Sequence, residues 1–158
     1  MQSISILSLY TEIRDEDANL YVRACTRGHE GSLTTVHVSE LEDVPDAITD
    51  MCMLDGRGMD SKRLTKRITE FVTHIGIEMR VAHGKRKIVR IVEYRYENEC
   101  VFVTDLACYD NSTDKWSFPG KLSHHASRKI KKGNPIQHSL LKKHGFIELE
   151  GEEGGYEP

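Results

Sequence analysis

Apolar positions recur along this chain in two rhythms. Ile4, Ile6, Leu7 and Leu9 mark a first strand over residues 4–10. Residues 15–26 then fit a helix, with Leu20 and Ala24 on one face and Tyr21 and Cys25 beside them, and Asp15, Glu16 and Asp17 at its positive end. The β-branched, hydroxyl-rich run 32–38 predicts a buried strand. Ser39 with Glu42 fits a capping box, and Val44, Ala47, Ile48, Met51 and Cys52 repeat at helical spacing. Pro45 belongs in a first turn, so that helix either starts near Asp43 or bends. The clearest helix follows a cap at Asp60 or Ser61, with Leu64, Ile68, Phe71, Val72 and Ile75 as one apolar stripe and Lys62, Arg63, Lys66 and Arg67 outside it.

From Ile77 the period falls to two. Turns at residues 83–86 and 97–99 divide runs 77–82, 88–96 and 100–106 into a β-meander, in which Glu93 is expected to face outward. Residues 109–120 read as a loop with Asp110–Asp114 as turn chemistry, packed through Trp116 and Phe118. Two short helical patterns, 122–130 and 136–143, flank Gly133-Asn134-Pro135. The acidic, Gly-rich stretch 148–158 is expected to be disordered.

The chemistry concentrates near the start. Glu12 and Arg14 fall at the turn between the first strand and its helix, where nucleotide hydrolases keep the carboxylate that orients an attacking water. In Thr26-Arg27-Gly28-His29-Glu30-Gly31-Ser32-Leu33-Thr34-Thr35-Val36-His37, two glycines bracket one histidine and a second histidine closes the run. His37 then lies near the carboxyl end of its strand, where open α/β sheets place ligands. If the two strands are neighbours in a mainly parallel sheet with the helix as crossover, Glu12 and His37 face one phosphate pocket.

That order, acidic-aliphatic-Arg, a short helix, then Gly-His-x-Gly-Ser-Leu-Thr-Thr-Val-His, resembles the type II/type IV secretion ATPases, nearest the tight-adherence, type IV pilus assembly and conjugation branch. The likeness is specific over residues 11–41 and looser to about residue 96; Ile91-Val92-Glu93 matches an aliphatic segment that closes the family's motor core. The resemblance implies an α/β fold, the C-terminal portion of a RecA-like P-loop ATPase domain, followed by a β-meander and a short basic helical appendix. It implies Glu12 (Walker B) and His37 (histidine box) as catalytic, and Arg14, Gly28, His29 and Thr35 as nucleotide-binding. It further implies ATP and Mg²⁺ as cofactors of the parent motor, pilin assembly or protein or DNA export as the work done, and hexameric ring subunits and an inner-membrane platform protein as partners.

Two departures stand out. Thr11 occupies a position where the family usually has Gly, and the pattern G-x-x-x-x-G-K-[ST] is absent from the sequence. Without that loop there is no backbone cradle for phosphates and no hydroxyl for Mg²⁺. The chain alone is therefore expected to bind no cofactor tightly and to turn over little ATP. The missing N-terminal ATPase segment joins the ring subunits as an expected partner.

Composition narrows the remaining choices. The 158 residues suit one domain, divided by these patterns into 1–107, 108–147 and 148–158. Cys25, Cys52, Cys100 and Cys108 lack C-x-x-C spacing and read as reduced thiols, in keeping with a cytoplasmic protein placed peripherally at the inner membrane face. No metal site is expected; His124-His125 has no nearby Cys or carboxylate to complete one. The formal net charge is −3, yet residues 115–147 hold no acidic side chain while Lys121, Arg128, Lys129, Lys131, Lys132, Lys142 and Lys143 accumulate. The acidic stretch 148–158 is well placed to neutralise this tract, which favours a solvated or subunit-facing surface; an external partner would make the chain, alternatively, a non-catalytic regulatory or remnant subunit that docks on intact motors or on anionic surfaces. Anionic lipid fits better than nucleic acid, because aromatics are not interleaved with the lysines.

Overall fold

The computed structural model describes residues 12–27, 31–54, 56, 58–82 and 84–147. The protein is mixed α/β. Among the described residues, five α-helices, α1 (Asp15–Thr26), α2 (Val44–Met53), α3 (Ser61–Phe71), α4 (His124–Gly133) and α5 (Pro135–Lys143), accompany a four-stranded antiparallel sheet. Its strands β1 (Ile75–Ala82), β2 (Lys85–Glu97), β3 (Cys100–Asp110) and β4 (Lys115–Ser117) lie in sequence order. The chain forms two compact units, one built from residues up to Gly76 with Tyr94–Val103, the other from Ile77–Glu93 with residues from Thr104 onward.

In the first unit, α1, α2 and α3 bury one cluster: Ile13, Ala18, Tyr21, Val22, Ile48, Cys52, Leu64 and Ile68. The face of α1 that enters it carries Ala18, Tyr21, Val22 and Cys25, whereas Leu20 is 64% exposed. Periodicity alone named the neighbouring face; the single apolar Leu20 cannot outweigh four residues already committed to the core. On α3 the same selection operates. Leu64 and Ile68 are buried, Val72 packs at the edge, and Phe71, a quarter-turn away, is exposed.

Caps explain the helix starts only in part. The Asp60 carboxylate accepts from the Arg63 amide at 2.7 Å, which satisfies one of the amides α3 leaves without an intrahelical acceptor. Before α2, a 3-10 turn over Leu41–Asp43 takes the place of the expected Ser39/Glu42 capping box, with Glu40 at its N-cap making no capping bond. The helix then begins after Asp43 with Pro45 in its first turn, so no bend is needed. For α1 the N-cap residue is Arg14, and Asp15 and Asp17 act on the helix dipole rather than as the cap itself. The Tyr94 hydroxyl ties the end of β2 to this unit by donating to the Leu41 carbonyl at 2.6 Å.

The expected strand 32–38 is extended but, among the described residues, its only regular element is a bridge at Leu33. Its β-branched side chains favour an extended backbone. The run lies outside the four-stranded sheet, whose strands follow one another in the order of the expected β-meander. The first expected strand, residues 4–10, and the tail 148–158 lie outside the described residues.

In the second unit, Asp110 organises the connection between β3 and β4. Asp110 accepts from the Ser112 hydroxyl at 2.7 Å, the Ser112 amide at 2.8 Å and the Thr113 hydroxyl at 2.8 Å. These donors, the Ser112 hydroxyl foremost, hold its carboxyl at about 2, below the ordinary 3.8. A carboxyl depressed on folding adds stability above its unfolded value and loses it as pH falls toward about 2. Carboxyl NMR is expected to give a midpoint near 2 for Asp110, and Ser112→Ala is expected to move it upward. An unshifted midpoint in that variant contradicts the assignment.

The turn delivers β4, which extends β3 by pairing Tyr109 with Trp116 and so replaces part of the expected loop with strand. Gly120 passes so close to β3 that a Cβ there would sit 2.3 Å from the Asp105 carbonyl oxygen. Leu122 then bridges Ile147 in parallel, and Phe118 meets Phe146 edge-on at 5.3 Å.

Glu93 corrects the expectation most sharply. Its side chain is buried, not outward-facing, and accepts from the Ser123 amide at 2.8 Å and the Ser123 hydroxyl at 2.6 Å. Ser123 is the N-cap of α4, and its hydroxyl oxygen accepts from the Ala126 amide. A buried carboxyl thus anchors the start of α4 through one serine.

Candidate functional site

Glu12, Arg14, Thr35 and His37 come together in the first unit. Ile13 is buried in the core, and its amide donates to the Thr35 carbonyl at 3.3 Å. That bond sets residues 12–14 beside residues 35–37. The extended backbone sends alternate side chains to opposite sides. Val36 packs on the core, so Thr35 and His37 are turned outward.

His37 Nε2 lies 3.5 Å from Glu12 Oε1, while Arg14 donates to Glu12 Oε2 at 2.8 Å. The Arg14 hydrogen bond holds the Glu12 carboxyl below the usual carboxylate range, with the Arg14 and His37 charges adding to it. Glu12 is therefore ionised at neutral pH, the state a water-orienting carboxylate needs. Arg14 is shifted upward by the same partner. The cluster is open: the His37 side chain is 88% exposed and that of Glu12 29%. Gly28 and His29, the other two residues the resemblance implied, lie outside the described residues.

A second group stands in the other unit. A cleft of about 410 Å³ is lined by His124, Ser127, Arg128, Lys131, Lys132, His138, Lys142 and Ile147. The α4 members recur at positions 124, 127, 128, 131 and 132, one helical face, and the α5 members at 138 and 142, one turn apart. The basic composition was visible in the sequence; the helical spacing that gathers these particular side chains is the signal that could have singled them out. Ser127 is buried and its hydroxyl lies 3.1 Å from His138 Nε2.

Among the described residues no three His, Cys, Asp or Glu side chains converge as a metal site, and no helix is long and apolar enough to cross a membrane. No protein-family model matches the chain, and no curated protein matches it.

Proposed function

We propose that this chain is the C-terminal part of a RecA-like secretion or pilus-assembly motor, in which Glu12 and His37 serve ATP hydrolysis. The observation that supports this reading is the 3.5 Å approach of His37 Nε2 to Glu12 Oε1, two groups separated by a whole helix in sequence. Glu12 would polarise the attacking water. His37, the only one of the two that can donate, would hydrogen-bond the terminal phosphate. Arg14 donates to Glu12 and favours its ionised form.

The donor set of carboxylate, imidazole, guanidinium and the Thr35 hydroxyl suits a terminal phosphate and its water. Mg²⁺ would supply charge neutralisation there, and its cradle would come from a segment bearing G-x-x-x-x-G-K-[ST], since that pattern is not among these 158 residues. The inner membrane face, an inner-membrane platform protein and further ring subunits follow as the proposed setting.

A second reading, a non-catalytic subunit that docks on intact motors or anionic surfaces, is favoured by the cationic cleft between α4 and α5. ATP turnover separates the two. In a motor containing this chain together with its phosphate-loop segment, Glu12→Gln is expected to lower turnover by roughly 100-fold or more with nucleotide affinity little changed. Unaltered turnover in that variant would remove the catalytic reading.

A further inference from the structure

We propose that the cleft between α4 and α5 is a binding site for a small ligand carrying clustered phosphates. Arg128 and Lys132 of α4 and Lys142 of α5 line one concavity of about 410 Å³. None of the three is paired with a carboxylate among the described residues, and residues 115–147 contain no acidic side chain to offer one.

The ordinary explanation for such lysines is neutralisation of helix C-termini, and Lys131, Lys132, Lys142 and Lys143 do lie in last turns. Two helix ends present only about half a negative charge each. Arg128 lies outside the last turn of α4, and Arg128, Lys132 and Lys142 together already exceed what the two dipoles need. The surplus positive charge faces itself across the cleft, an arrangement that an anion relieves.

The donors fit phosphate in kind as well as in charge. Arg128 offers a planar fork for two oxygens, the lysines offer point charges, and His124 offers an imidazole. The Ser127–His138 pair adds a hydroxyl and a ring nitrogen held at 3.1 Å in the wall. A single carboxylate would leave most of this charge unmatched. The volume falls in the range of small-ligand pockets, so a compact phosphorylated group enters where a nucleic-acid duplex does not. The shared chemistry is that of a free polyphosphorylated metabolite or of a phosphorylated lipid headgroup. The site stands whether or not the chain hydrolyses ATP.

The test is calorimetric titration of the full chain with inorganic tripolyphosphate at ~0.1 M salt, where exposed charges are already screened beyond about 10 Å. One saturable site is expected. Arg128→Ala with Lys142→Ala is expected to weaken it by about tenfold or more, with the far-UV spectrum unchanged because both side chains are exposed. Lys62→Ala with Lys66→Ala on α3 is expected to leave the affinity as it is. Flotation with phosphatidylcholine vesicles containing phosphatidylinositol 4,5-bisphosphate then distinguishes the sources. Vesicle binding displaced by tripolyphosphate assigns the site to a headgroup, and tripolyphosphate binding without vesicle binding assigns it to a soluble ligand; either supports the proposal. Absence of saturable binding overturns it. So does an affinity indifferent to Arg128 and Lys142, or reduced equally by the α3 variant.

Discussion

Ile68→Ala is expected to destabilise the protein by about 4 kcal/mol, the largest loss of any single truncation considered for the helical core. Ile68 has no exposed surface and sits in α3 where that helix meets Ile13, Tyr21, Val22, Ile48 and Cys52. Truncation removes three carbons from this packed site and leaves a void that three helices would have to close together. A typical domain has about 5–15 kcal/mol in total, so the variant is expected to sit near its unfolding midpoint under mild denaturant. Ile68→Val, which removes one carbon, is expected to cost about 1 kcal/mol. Phe71→Ala, on the same helix but 53% exposed, is expected to cost under about 1 kcal/mol despite the larger side chain removed. Urea unfolding of the three variants checks the order. Equal losses at Ile68 and Phe71 would mean that α3 presents a different face to the core.

Glu93→Ala ranks second, with an expected loss of about 3 kcal/mol. Glu93 is 4% exposed and its two carboxyl oxygens accept both Ser123 donors. Alanine leaves the Ser123 amide and hydroxyl without acceptors in a half-buried setting, and the hydroxyl also caps α4. Glu93→Gln keeps the shape and one acceptor, so about half that loss is expected. Ser123→Ala removes the cap and one partner, at about 1–2 kcal/mol. The damage is local in kind: hydrogen exchange is expected to speed up first in the opening turn of α4. Uniform acceleration through the unit, with α4 no worse than β2, would contradict the proposed anchor.

Much of the architecture could be read from period and punctuation. The bounds of α1 and the Asp60 cap of α3 follow from residues whose preferences are local, and the structure places them as expected. The turn between β2 and β3 follows likewise: Asn98 and Glu99 both take positive φ, 50° and 63°, with Asn the residue that tolerates it best. What period could not decide was which of two adjacent faces is buried, because Leu20 and Phe71 satisfy a helical stripe as well as Val22 and Ile68 do. Tertiary packing chose between them.

Glu93 was illegible for a different reason. A carboxyl in an alternating strand is ordinarily solvated, and only the chain folding back at Ser123, thirty residues on, brings the two donors that hold it inside. The run 32–38 shows the converse. Its composition fits a strand, but among the described residues its regular structure is one bridge at Leu33, and position rather than propensity brings Thr35 and His37 to Glu12. Their convergence was legible through the motif spacing; residues 4–10, the first strand of the parallel pair expected to bring it about, lie outside the described residues. The basic cleft was half legible, its charge evident and its two-helix geometry not.

The most direct test of the hydrolytic reading is where a terminal phosphate comes to rest. A photoreactive ATP analogue with its probe on the γ-phosphate, bound to a motor containing this chain and its phosphate-loop segment, is expected to label peptides carrying Glu12 or His37, with the label competed away by ATP. Label confined to the α4 and α5 peptides, or ATP-insensitive label at Glu12 and His37, would contradict it.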